Sequence, residues 1–237
     1  MIDRTTPYCG PAPAPQDLWL AWNLDPVLLT GLAVFAAAGW GLARDRRALV
    51  AALGALVLAF VSPLCAATVA LLSARAAHHL VLLSLAAPAL ALALPLRARV
   101  AAPAMAATVA VLAAWHLPGV YAAAWDSAAI YWAMQAALLL PAWAFWSSVL
   151  RPAAAEALFA RAFLIAGLAG AMGLIGAVLT FARTAFYAEH LVGTAAWGID
   201  PLADQQLAGL VMWVPGFVPL IAVAFLMLRQ GWRRGFA

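Results

Sequence analysis

The side chains that could do chemistry in this 237-residue chain are its four His, its two Cys and some of its six Met. Thiolate or thioether sulfur combined with imidazole suits Cu(I), whereas structural zinc takes four strong ligands in a closed site. The leading candidate ligands are Cys65, His78, His79 and His116, with Cys9, Met134, His190 and Met212 as further donors. Arg75, Asp204 and Gln205 are polar neighbours placed to support such a site or to meet a partner. Blander readings stay open. A His at a helix end often bonds only water or a headgroup, Cys65 can be a small buried hydrophobe, and Cys9 with Cys65 can form a disulfide on an oxidising side of a membrane. There is no nucleophile–base arrangement, Gly-rich phosphate loop or HExxH pair, so the reading is not an enzyme.

The elements that must position these residues follow from composition. The chain is 68% hydrophobic and 9% charged, with a mean hydropathy of +0.98. That leaves too little polar surface for a soluble domain, and it argues against a disordered chain or a nucleic-acid binder. The expected class is an integral membrane protein in contact with the lipid bilayer. Charged residues punctuate the sequence, leaving uncharged intervals of 18, 27, 21, 26, 24, 21 and 24 residues. Each is near the ~20 residues that a helix needs to cross the hydrocarbon, and none alternates with period two. The expected fold is all-α, a seven-transmembrane-helix bundle. Residues 1–25 form a Pro-rich arm, 26–228 the membrane domain and 229–237 a basic tail. The arm has no apolar core, so it does not read as a signal peptide.

All 13 basic residues are Arg. Ten of them (Arg44, Arg46, Arg47, Arg97, Arg99, Arg151, Arg161, Arg229, Arg233 and Arg234) fall on the side that carries the C-terminus, and only Arg4, Arg75 and Arg183 on the other. The positive-inside rule then places the C-terminus in the cytoplasm and the N-terminus outside. Seven of the nine acids, Asp3, Asp17, Asp25, Asp126, Glu189, Asp200 and Asp204, sort to the outer side. So do all four His and both Cys.

Within the spans, runs such as Ala36-Ala37-Ala38-Gly39 and Gly167-Leu168-Ala169-Gly170 let helices approach closely. Pro63, Pro88, Pro141, Pro215 and Pro219 lie inside spans and are expected to kink them. Trp22, Trp115, Trp125 and Trp213 sit near span ends as interfacial anchors do. A short turn near residues 73–76 joins the second and third spans and brings Cys65 and His79 to a similar depth. Asp200-Pro201 reads as the cap and first residue of the last helix.

Four stretches carry a family resemblance. They are Tyr8-Cys9-Gly10-Pro11 with Trp22-Asn23-Leu24-Asp25-Pro26; Ser62-Pro63-Leu64-Cys65 followed by Ser73-Ala74-Arg75-Ala76-Ala77-His78-His79; Trp115-His116-Leu117-Pro118 with Tyr121; and Asp204-Gln205-Gln206-Leu207-Ala208-Gly209 running to Met212-Trp213-Val214-Pro215. Together they resemble the CtaG family of caa-type cytochrome c oxidase assembly factors, over roughly residues 22–229. The resemblance implies a seven-helix protein of the bacterial plasma membrane, with oxidase subunits as partners and copper as the metal handled at the outer face. In the family's third helix the motif commonly reads His, then Gln-His four residues on; Arg75, His78 and His79 hold those positions here. The fifth span often carries a His pair, where this chain has Tyr131-Trp132-Ala133-Met134-Gln135. A copper transporter and a haem-binding electron carrier with His79 and His116 as axial ligands are the alternatives.

Overall fold

The structure is a computed structural model that describes residues 7–97 and 100–235. Asp3, Arg4 and Arg99, assigned to loops above, lie outside the described residues. The described chain is helical from the end of the arm onward: α1 Pro26–Leu42, α2 Arg46–Phe60, α3 Pro63–Ala70, α4 Leu72–Ala93, α5 Ala101–Trp115, α6 Pro118–Asp126, α7 Ala128–Val149, α8 Ala155–Thr180 and α9 Pro201–Gly235.

Local chemistry sets many of the starts. Asp25, Asp45, Ser62 and Ser127 each accept a backbone N–H from the first turn that follows, and Pro26, Pro63 and Pro118 occupy first positions where no N–H is needed. Asp200 accepts from the amides of Leu202 and Ala203, the capped start read from Asp200-Pro201. Pro141, Pro215 and Pro219 stay inside continuous helices. In α4 the stretch Val81–Ala86 is π-helical and Pro88 follows one residue after it, so the residue without an N–H sits beside a ladder that is already altered. The basic tail continues α9 as helix to Gly235.

Four helices, α4, α7, α8 and α9, are each long and apolar enough to cross a membrane. Two further pairs qualify as broken spans, α2 with α3, bent by 41°, and α5 with α6, bent by 78°. The described chain thus holds four to six candidate spans, and α1, apolar but only 17 residues long, is shorter than these. Charge spacing hid both breaks because neither contains a charge. The turn expected near residues 73–76 is instead one extended residue, Leu71 (φ −127°, ψ 133°), and Ser73 to Ala76 already belong to α4.

The main core joins α4, α7, α8 and α9 through Leu83, Phe145, Trp146, Ile165, Met212 and Leu220. The Trp146 indole N–H donates to the Leu83 carbonyl at 2.9 Å, so the ring is fixed as well as buried. Buried Ala52, Ala55 and Ala59 let α2 lie close against α4. Away from the core the surface stays apolar, with Phe163 71% and Leu174 68% exposed, as expected where the solvent is hydrocarbon. Helix α1 is the least anchored. It buries only Leu28 and Gly39, and an apolar groove of about 360 Å³ separates it from Leu56 and Phe60 of α2 and Trp132 and Leu139 of α7. The Tyr8 hydroxyl donates to Asp25 at 2.7 Å at one end of that groove.

Helices α8 and α9 form the most extensive pair and cross at Gly176 and Gly209. A Cβ on Gly176 would lie 2.7 Å from the Gly209 carbonyl oxygen, and one on Gly209 would collide with the Gly176 carbonyl and Thr180. Gly209→Val should therefore force the pair apart and cost about 1–3 kcal/mol. Gly54→Ala, where an added Cβ meets nothing within 4 Å, should be neutral by comparison. Thermal unfolding of the two variants in detergent checks this.

Candidate functional site

The end of the bundle that carries the His residues begins with one carboxylate. Leu71 has no capping side chain, so the first amides of α4 need an acceptor from elsewhere. Asp204 of α9 supplies it, accepting from Leu72 N at 2.6 Å, Ser73 N at 3.3 Å and Ser73 Oγ at 2.5 Å while fully buried itself. A carboxylate at a helix N-terminus is also favoured by the helix dipole. Next to it on α9, Gln205 accepts from Phe186 N at 2.7 Å and donates to the Thr184 carbonyl at 3.1 Å, and Gln206 donates to the Ala182 carbonyl. These amides hold the segment between α8 and α9 over the bundle end. The polar start of α9, read as facing the cluster, is structural mortar.

With α4 fixed in this way, Arg75, His78 and His79 lie one turn apart along one face, at i, i+3 and i+4. All three are buried: Arg75 is 4% exposed, His78 0% and His79 2%. The His79 ring lies between two others, its centroid 5.9 Å from that of His78 and 5.9 Å from that of His116. His116 is the residue after the last turn of α5, at the 78° break, and its Nδ1 bonds the Leu112 carbonyl at 2.7 Å. That bond turns Nε2 away from the helix that carries it. None of the four ring nitrogens of His78 and His79 makes a well-formed hydrogen bond, His78 only facing the Ala59 carbonyl.

The other expected donors are placed differently. Cys65 is bonded to Cys9 in a disulfide, which ties the arm to α3, so neither sulfur is a thiolate ligand in this oxidised state. The Tyr131 hydroxyl donates to Cys9 Sγ at 3.4 Å, and Asn23 holds the arm through the Phe60 carbonyl. His190 is committed to Tyr121, with 2.7 Å between Nε2 and the hydroxyl. Met134 and Met212 are buried in the main core. Among the described residues no three His, Cys, Asp or Glu side chains form a ready metal-binding group. The rings at this end are His78, His79 and His116, with the disulfide beside Tyr131.

The sequence reading places Arg75 in the short turn near residues 73–76. It is instead inside α4, its guanidinium 5.7 Å from the Tyr121 ring and 5.8 Å from the Tyr131 ring, while Asp204 is taken up by the α4 amides. Gln135 was not singled out, yet it is buried one turn beyond Tyr131 with both amide atoms unpartnered. A lone amide in the middle of an apolar span was the available signal.

His190 lies outside the spans. Burial first, and then the Arg75 charge, lower its pKa to about 3, against a weaker opposing contact with the Ala70 carbonyl. The unfolded chain takes up this proton near pH 6.5 and the folded chain does not. Stability is therefore intact above about pH 6.5 and should fall by up to ~1.4 kcal/mol per unit as pH drops below it. Denaturation midpoints between pH 8 and 5 test this, and His190→Gln should flatten the slope. Separately, Asp204→Ala leaves three buried donors without an acceptor. It should cost about 3 kcal/mol or more and speed hydrogen exchange at the Leu72 and Ser73 amides.

Comparison with known proteins completes the picture of this end of the bundle. The family model of the cytochrome c oxidase caa3 assembly factor (Caa3_CtaG) matches residues 98–234, more than half of the chain. No curated protein and no solved structure matches. The matched span holds His116, Tyr121, Gln135, His190 and Asp204; Cys65, Arg75, His78 and His79 precede it and are joined to it through Asp204. The chain belongs to the cytochrome c oxidase caa3 assembly factor family.

Proposed function

We propose that this protein assists cytochrome c oxidase assembly by holding Cu(I) as cargo at the outer face of the bacterial plasma membrane and passing it to an oxidase subunit. The orientation behind this is a seven-span bundle, α1 included, with the N-terminus outside and the C-terminus in the cytoplasm. Its support is the sorting of ten Arg to one end and of the His and Cys to the other.

The observation that carries the reading is the His79 ring between those of His78 and His116, 5.9 Å from each, with the His78 and His79 nitrogens making no well-formed hydrogen bond in a buried setting. Buried polar atoms without partners call for an explanation, and an ion is one. An imidazole nitrogen binds a transition ion at about 2 Å, so one ion can bridge two rings at this spacing if their nitrogens turn toward each other. Two or three neutral imidazoles make a loose site for Cu(I), open to exchange with a thiolate-bearing acceptor. In the reduced protein, Cys65 and Cys9 would add sulfur near the same end.

Protein purified without oxygen should carry about one copper per chain, and His79→Ala with His116→Ala should lose it. Unchanged copper in that double variant would overturn the site. Deleting the gene should abolish oxidase activity, restored by the wild-type chain and not by the double variant.

A further inference from the structure

We infer that Arg75 is the centre of a binding site for a small anion, of chloride or single-carboxylate size, at the histidine end. The inference does not depend on copper. A guanidinium stays charged in any protein environment, and a buried charge without a counter-charge is costly. Arg75 is buried to 4%, and among the described residues no carboxylate comes within ion-pair distance of it. The nearest acid on a packed helix, Asp204, is saturated by α4 amides. Glu189, the acid beside His190, makes no ion pair with it.

The rings of Tyr121 and Tyr131 offset part of that cost through their faces. A ring face does not use the in-plane N–H groups, and Nε and Nη1 of Arg75 have no acceptor. The Tyr121 ring is itself flanked by Trp125, whose buried indole N–H makes no well-formed hydrogen bond. The histidines add ring nitrogens, not negative charge. The surroundings are thus rich in N–H donors, formally cationic and walled by aromatic rings. A compact anion that accepts several N–H bonds matches that chemistry.

The test needs no metal. Wild-type protein in detergent, in methanesulfonate buffer at fixed ionic strength, is titrated with chloride and, in a second arm, with formate. Two readouts are taken: the line width of chloride NMR and the thermal midpoint. The expected result is saturable broadening of the chloride line that excess formate reverses, and a saturable rise of a few degrees in the midpoint. Arg75→Gln should lose both, and Arg183→Gln, an exposed Arg near the same end, should keep both. Competition by formate at low concentration would assign the site to carboxylates, and competition only in large excess to halide. Absence of saturable broadening in the wild type, or its persistence in Arg75→Gln, would overturn the proposal. If Arg75→Gln does not fold, bromide located by anomalous scattering in wild-type crystals decides. A peak at Arg75 supports the site, and no peak there overturns it.

Discussion

The arrangement at the histidine end depends on one buried carboxylate serving a helix that is not its own. Asp204 closes the first turn of α4 from α9, more than 130 residues away in sequence. Without an acceptor the first amides of α4 would be left bare in an apolar interior, and α4 could start earlier, later or at another depth. With it, the start is set at Leu72, and so are the height and rotation of Arg75, His78 and His79. The same helix that carries Asp204 closes on α8 through Gly209 and Gly176, where backbone meets backbone. The His positions are thereby referred to the most extensively packed helix pair among the described residues.

The two ends of the bundle treat arginine in opposite ways. At the arginine end, guanidinium groups finish helices. Arg151 donates to the Ser147 and Leu96 carbonyls, Arg161 to those of Val149 and Arg151, and Arg234 to that of Ala153. Carbonyls at helix C-termini lack intrahelical partners, and a cation there also complements the helix dipole. Those arginines do structural duty through backbone carbonyls. At the histidine end, Arg75 finds aromatic faces and no backbone acceptor at Nε or Nη1. It is the arginine whose setting a purely structural role does not account for.

Much of this was legible in the sequence, and what was not has a physical reason. Charge spacing located the long helices because most charges do lie at helix ends. It misplaced the α3–α4 turn because that rule treats every charge as exposed, and Arg75 is buried. The broken spans were hidden because a bend at Ser62-Pro63 or at His116-Leu117 carries no charge to mark it. Caps were readable, as at Asp25-Pro26 and Asp200-Pro201, since they are local. The acceptor for α4 was not, because Asp204 is remote and its helix looked already capped by Asp200. Spacing brought Cys65 near His79 in depth but could not choose between a thiolate and a disulfide, which depends on where the Pro-rich arm folds back. Within the matched 98–234, the sequence singles out His116 and Asp204 as candidates, whereas Gln135 is passed over because it stands alone.

The loosely held α1 has a consequence of its own. In water an apolar cleft of this size would close, because leaving it wet is costly. In hydrocarbon that pressure is absent, since acyl chains solvate the walls as well as protein does. The cleft beside helix α1 can then persist, with the Tyr8–Asp25 bond as the latch at its polar end. That bond and the Val27 amide hold the Asp25 carboxyl below the usual carboxylate range, so the latch stays charged through mild acid and tightens as its surroundings dry. A single phenol thus ties the arm to the first helix at the end of the cleft that Asp25 lines.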